Sequence, residues 1–145
     1  MASGVYNVGL QYLASGQVVW GTSTLKVMLL KPTYTFNRDD DAVSTLATHE
    51  LSSANYARKT LAGFSSSVNQ TLDRAYLDAA DVSWGSPAIA AGQSIGFAVV
   101  FRDSGSDATS IPLLCFDLID QDPAGITYKL QWNSLGLVRL KDATA

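Results

Sequence analysis

The chain has 145 residues, of which 47% are hydrophobic and only 16% charged, and its formal net charge is −3. This composition excludes an intrinsically disordered chain, and the length predicts one domain spanning residues 1–145. The basic residues are thinly spread and no apolar run approaches the roughly 20 residues of a membrane span, so we expect neither a nucleic-acid partner nor a membrane partner.

The first predicted element is an amphipathic helix over about residues 4–15. Three apolar residues recur at i, i+4 and i+7, the spacing of one helix face: Tyr6, Leu10 and Leu13. Ser3 is placed to cap the start of this helix, and Gly16 is placed to end it. This helix differs from everything that follows it in the chain.

Beyond Thr24 the apolar residues tend to alternate, which is typical of strands. The predicted strands cover residues 24–30, 56–64, 94–101, 111–119, 126–132 and 136–140, and residues 74–84 form one or two more, broken near Ala79 and Ala80. Two of them, 94–101 and 111–119, are continuous apolar runs suited to burial on both faces. The segments "DSGSDATS" (103–110) and "DQDPAG" (120–125) predict loops.

Short strands at this spacing predict a mainly β protein rather than alternating strands and helices. We therefore expect a single-domain antiparallel β-sandwich, jelly-roll-like, with one N-terminal helix. The first residues lack the basic and apolar regions of a secretion signal. We therefore expect a protein that is made in the cytoplasm and is not secreted.

Three consecutive aspartates, Asp39, Asp40 and Asp41, form a dense carboxylate cluster in a chain with little charge. Calcium loops space their ligands at alternate positions around a glycine, and this run has neither feature. We interpret it as a turn whose last aspartate caps a short helix, "AVSTL" (42–46). No metal is expected here.

Other candidate functional residues are few. His49 lies in "ATHEL", which resembles half of a zinc-protease motif, but the chain has no second histidine. Cys115, the one cysteine, lies in an apolar run that favours a buried hydrophobe, although a pairing with His49 stays open. Trp84 and Trp132, at strand ends, fit either the core or a sugar-stacking platform, and we favour the core. We predict no catalytic residues and no cofactor.

Segments covering nearly the whole chain resemble a family of small tailed-bacteriophage virion structural proteins. These segments are "LKVMLLKPTYTFNRDDDAVSTL", "YARKTLAG", "DRAYLDAADVSW", "AVVFRDSGSDATSIPLLCFDL" and "LQWNSLGLVRL". The family supplies no catalytic residues to transfer to this chain, which agrees with the survey of the residues. The resemblance implies a protein that acts by assembly rather than by catalysis.

The first functional expectation is therefore a non-enzymatic capsid decoration (cement) protein on the virion surface. Its implied partner is the major capsid protein, and its implied assembly is a homo-oligomer such as a trimer. The alternative from another class is a head- or tail-fibre adhesin module that binds a host-surface glycan; an enzyme acting on polysaccharide is favoured least. The expected interface comprises the helix, the aspartates and the loop 104–110, because a sandwich can spare terminal helices and loop tips: Tyr6, Leu10, Leu13, Asp39, Asp40 and Asp41.

Overall fold

The computed structural model describes residues 3–141, which are 36% strand and 11% helix, and this confirms the mainly β class. The strands are β1 (Gly4–Val5), β2 (Leu25–Leu30), β3 (Lys59–Thr60), β4 (Ser65–Asn69), β5 (Arg74–Asp78), β6 (Val82–Trp84), β7 (Ile95–Arg102), β8 (Ile111–Gln121), β9 (Tyr128–Leu130) and β10 (Val138–Lys141). The helices are α1 (Asn7–Ala14), α2 (Val43–Leu46) and a 3-10 turn (Ala47–His49). The predicted domain also includes residues 1–2 and 142–145, which lie outside this description.

A central five-stranded antiparallel sheet has the order β1-β8-β7-β2-β3. Its middle is buried on both faces, because alternate side chains of a strand point to opposite sides. Val27 and Leu29 of β2 belong to a larger core cluster, whereas Met28 and Leu30 belong to a smaller cluster on the other side. The sheet is therefore covered by packed side chains above and below.

The second layer consists of a three-stranded sheet, β10-β5-β4, and a two-stranded sheet, β6-β9. Val82, Trp84, Leu130 and Val138 of this layer join the larger core cluster together with Leu29 of the central sheet. All strand pairs within the described residues are antiparallel. The antiparallel β-sandwich is thus confirmed, while the jelly-roll arrangement stays a prediction.

The N-terminal helix begins later than predicted, at Asn7 rather than near residue 4. The residues before it form β1 instead, because their backbone pairs with the edge of β8. Ser3 therefore does not cap the helix, and its hydroxyl accepts a hydrogen bond from the Asp117 backbone N–H at 2.7 Å. Gly16 follows the helix with φ +76°, a left-handed conformation that ends it as predicted.

Close packing of α1 on β8 depends on Gly9. A Cβ atom at this position would lie 2.8 Å from the Leu113 Cα and 2.9 Å from the Leu113 carbonyl oxygen, closer than atoms can pack. The missing side chain lets the helix lie directly against the strand backbone. This contact sets the position of the exposed face of α1.

Strand prediction was accurate where apolar residues dominate and poor where they do not. The segment 74–84 is two strands, β5 and β6, with the break at Ala79 and Ala80 as expected. The segment 56–64 is mostly loop, and only Lys59–Thr60 pairs, with β2. Strand β4, "SSSVN", was not predicted, because its serines carry no apolar alternation.

Candidate functional site

An open apolar cleft of about 450 Å³ lies between α1, the loop that follows it, and strands β5 and β10. Six apolar side chains form much of its lining: Leu10, Leu13, Val19, Trp20, Leu77 and Leu140. Leu10, Val19 and Leu140 are 46–48% exposed, so the lining includes large hydrophobic side chains that reach solvent. A contiguous exposed apolar surface of this kind is typical of an interaction site.

The walls of the cleft are held in place by the fold. The Trp20 Nε1–H donates to the Asp78 carbonyl oxygen at 2.9 Å, and the Trp20 ring packs edge-on against Phe64 at 5.2 Å. Val138 joins the buried core beneath the cleft. Because these contacts link segments that are distant in sequence, the cleft is a preformed feature of the sandwich.

The residues of the N-terminal segment that were predicted to form an interface differ in their exposure. Leu10 and Leu13 line the cleft, and their part in an interface stays a prediction. Tyr6 is fully buried, so its placement at an exposed interface was wrong. The Tyr6 ring packs edge-on against Phe36 at 5.1 Å, and its hydroxyl lies 2.9 Å from that of Tyr34.

The aspartate cluster lies beside the start of α1, so the structure brings the two predicted interface regions together. Asp39 accepts a hydrogen bond from the Asn7 side-chain amide at 2.7 Å, and the Asn7 backbone N–H donates to the Arg38 carbonyl at 2.9 Å. Asp40 accepts a hydrogen bond from the Tyr34 hydroxyl at 2.9 Å. Two of the three carboxylates thus fasten neighbouring segments.

Asp41 does not cap α2, and that prediction was wrong although the short helix itself is present. The N-cap residue is Ala42, and no side chain caps the helix. The first N–H groups of the helix instead donate to backbone carbonyls of the loop 103–110: Val43 to Ser110 and Ser44 to Asp107, each at 3.0 Å. With these donors satisfied by the backbone, the Asp41 carboxylate is left exposed.

A buried polar chain runs from Tyr6 through Tyr34 to Asp40. Burial raises the pKa of Tyr6 and of Tyr34, and the bond to Asp40 adds to the rise at Tyr34. Burial also raises the pKa of the nearby Cys115 to about 12. All three groups are therefore protonated at neutral pH, and Cys115, 1% exposed, is the buried hydrophobe that was predicted.

Replacing Asp40 by alanine is expected to lower the free energy of unfolding by about 1–2 kcal/mol, because a partly buried hydroxyl loses its charged acceptor. Asp41→Ala is the matched control, and its effect should stay within about 0.5 kcal/mol, as for other exposed side chains. Urea unfolding followed by fluorescence measures both. Equal losses for the two variants would contradict this assignment of the two carboxylates.

The remaining candidate catalytic and metal-binding residues do not form a site among the described residues. His49 lies 3.4 Å from the Thr33 hydroxyl and packs against the Tyr34 ring at 5.5 Å, with no hydrogen bond to Cys115 in the described structure. Within residues 3–141 no group of three His, Cys, Asp or Glu side chains is arranged to hold a metal ion. The helices found between residues 3 and 141 are all too short to span a lipid bilayer.

Both tryptophans that were candidates for a sugar-stacking platform pack against the core, as expected. Trp84 is 1% exposed, and its Nε1–H donates to the Ala57 carbonyl at 2.7 Å. Trp132 is half-buried, packs against Phe116 at 5.2 Å and donates to the Ala80 carbonyl at 2.9 Å. Each indole N–H thus has a partner within the fold, and Trp84 lies in the core while Trp132 packs against it, partly exposed.

The residues that line the rest of the cleft were not predicted from the sequence. Val19, Trp20 and Leu140 carry no shared motif, since they come from two segments more than a hundred residues apart. A scan against protein-family models and searches of curated proteins and solved structures found no match for this chain. The resemblance to a phage family therefore stays a prediction.

Proposed function

We propose that this chain is a non-enzymatic virion structural protein, a cement protein that clamps neighbouring major capsid subunits. The observation that carries the proposal is the preformed apolar cleft, because it gives the domain a surface suited to docking rather than to chemistry. The resemblance over nearly the whole chain to small tailed-phage structural proteins supports the same role. The cleft would receive apolar side chains of the capsid.

Modest contacts are sufficient for such a role. Fully burying an exposed leucine or valine contributes about 1.5–3 kcal/mol, so burying the exposed half of Leu10, Val19 or Leu140 contributes about half of this for each. A specific interface buries about 1,600 Å² in total, of which each partner supplies about 800 Å². Many copies, linked in a homo-oligomer, convert a modest affinity for each site into stability of the whole shell.

Particles assembled without this protein should lose their contents at a lower temperature than complete particles. Adding back the purified wild-type chain should restore heat resistance. Leu10→Glu should bind such particles more weakly by about tenfold or more, because it loses the burial of the exposed half of a leucine and places a charge in an apolar interface. The matched control is Ile119→Glu, which places the same charge at an apolar residue that is 91% exposed and outside the cleft.

Binding of Ile119→Glu should equal that of the wild type, and circular dichroism should show that both variants are folded. Equal heat resistance of particles with and without the protein would overturn the cement role. Equal binding of Leu10→Glu and Ile119→Glu would instead remove the cleft from the interface.

A further inference from the structure

One face of the β10-β5-β4 sheet points away from the larger core and is rich in cations. The register aligns Arg139 with Tyr76 across β10 and β5, and Lys141 with Arg74. On β4, Ser67 lies opposite Tyr76. We call Arg74, Tyr76, Arg139 and Lys141 the basic face. Asp78 lies on the same face of β5, so this face carries three cations and one carboxylate, and none of the three cations lies in an ion pair within residues 3–141.

Two polar atoms of the basic face are buried without a hydrogen-bond partner in the described structure: the Tyr76 hydroxyl and the Arg74 Nε. Tyr76 is 6% exposed, so water cannot freely replace the missing partner. Buried polar groups are rarely left unpaired, since an unmade hydrogen bond in the interior destabilises the fold. The Arg74 Nε–H can only donate, and the Tyr76 hydroxyl can donate too, so an acceptor is the partner that each of them lacks.

Two shallow cavities meet at Tyr76. One, of about 230 Å³, is lined by polar side chains that include Ser65, Ser67, Asn69 and, at one end of β5, Asp78. The other, of about 240 Å³, is bordered by Arg139. Leu135 and Gly136 border both cavities. Tyr76 therefore lies at a concave surface that Arg139 borders, and a guanidinium is a good donor to a carboxylate.

We propose that the basic face binds the aspartate loop of a second copy of this chain. Charge complementarity favours this occupant, because the chain is acidic overall and concentrates three carboxylates in Asp39–Asp41. Asp41 is exposed and does not cap a helix, and Asp39 is exposed as well. A carboxylate of this loop would accept hydrogen bonds from the Arg139 guanidinium and from the Tyr76 hydroxyl, which border the same cavity.

This contact joins two different surfaces, so it is heterologous. Heterologous contacts close into rings such as trimers when the rotation between copies allows it. The contact would supply the self-association that the proposed function assumes, and the inference rests on that function to this extent. The test of self-association uses the purified full chain without any capsid. The proposed contact can therefore be disproved while the cement role stands, and the cement role can be disproved while the contact stands.

The test is a charge exchange followed by analytical ultracentrifugation at low and high salt. Arg139→Glu and Asp41→Lys should each weaken self-association about tenfold or more, because each places like charges in contact. The double variant, Arg139→Glu with Asp41→Lys, should recover association to within about threefold of the wild type, since complementarity returns with reversed sign. Lys31→Glu is the matched control for charge reversal, because Lys31 also lies outside any ion pair in the described residues, and it should leave association unchanged.

Tyr76→Phe separates binding from folding. It removes an unpaired hydroxyl and keeps the ring, so the folded monomer should be as stable as the wild type while association weakens by about threefold or more. A wild-type chain that stays monomeric at all concentrations overturns the proposal. So does association that salt does not weaken, that Lys31→Glu weakens as much as Arg139→Glu, or that the double variant fails to recover.

Discussion

Replacement of Arg58 by methionine is expected to lower the free energy of unfolding by about 2–3 kcal/mol. The Arg58 guanidinium holds two carboxylates: it donates to both oxygens of Glu50 at 2.8 and 2.7 Å and to both oxygens of Asp107 at 2.6 and 3.0 Å. It also lies 5.2 Å from the centre of the Phe101 ring. This one side chain connects the neighbouring Glu50 to Asp107, which lies 49 residues further along the chain.

The cost follows from what the substitution leaves behind. The Glu50 side chain is 14% exposed, so without Arg58 its charge stays largely buried and keeps only the Tyr56 hydroxyl at 2.7 Å. Removing one partner of a fully buried pair costs about 3–5 kcal/mol, and we discount this value because the Asp107 side chain is 38% exposed.

Urea unfolding at neutral pH measures this loss, with Lys59→Met as the control. Lys59 is the adjacent cation and has no ion pair within residues 3–141, so its replacement should cost under about 0.5 kcal/mol. Adding Glu50→Gln to Arg58→Met should recover part of the stability by removing the stranded charge. Equal effects of Arg58→Met and Lys59→Met would show that the cluster does not stabilise the fold.

The same cluster predicts the response to acid. The hydrogen bonds from Arg58 lower the pKa of Asp107 below its usual value. A carboxyl with a lowered folded pKa stabilises the protein above its unfolded pKa, about 3.9, and loses this contribution as the pH falls toward the folded pKa. Stability should therefore fall below about pH 4 in the wild type, and Arg58→Met should show a shallower fall.

Replacement of Trp84 by alanine is expected to cost about 3–5 kcal/mol, the range for removing a large aromatic side chain from a core. Trp84 is among the largest fully buried side chains, and its loss would leave a cavity between the central sheet and the second layer. The Ala57 carbonyl would also lose its donor. Thermal or urea unfolding, checked by two optical probes, measures the change.

Trp132→Ala is the matched control, because Trp132 is the same side chain at a half-buried position. We expect it to cost clearly less than Trp84→Ala, since less apolar area leaves the interior. A smaller loss for Trp84→Ala than for Trp132→Ala would contradict the assignment of Trp84 to the centre of the core.

The parts of the fold that could be predicted are those where burial alone determines the local pattern. In β7 every residue from Ile95 to Phe101 is buried, and the sequence there is a continuous apolar run. The start of α1 could not be predicted in the same way. Gly4 and Val5 are compatible with helix or strand, and pairing with β8, more than a hundred residues away, selects the strand.

The candidate site was predicted only where its residues belong to one element. The i, i+4 spacing identified Leu10 on the exposed side of α1, but the same spacing included Tyr6, whose hydroxyl bonds to Tyr34 and fixes it inside. Asp41 was assigned as a cap on its position alone, whereas carbonyls of the loop 103–110 take that role. Such long-range partners leave no local signal in the sequence.

The measurement that tests the central claim most directly is an electron cryo-microscopy map of the assembled particle. The proposal predicts density for this chain in many copies across the head surface, at the boundaries between major capsid subunits, with the α1 side of the cleft against the shell. Density for the chain in a few copies at the tail, or none on the head, would contradict the cement role.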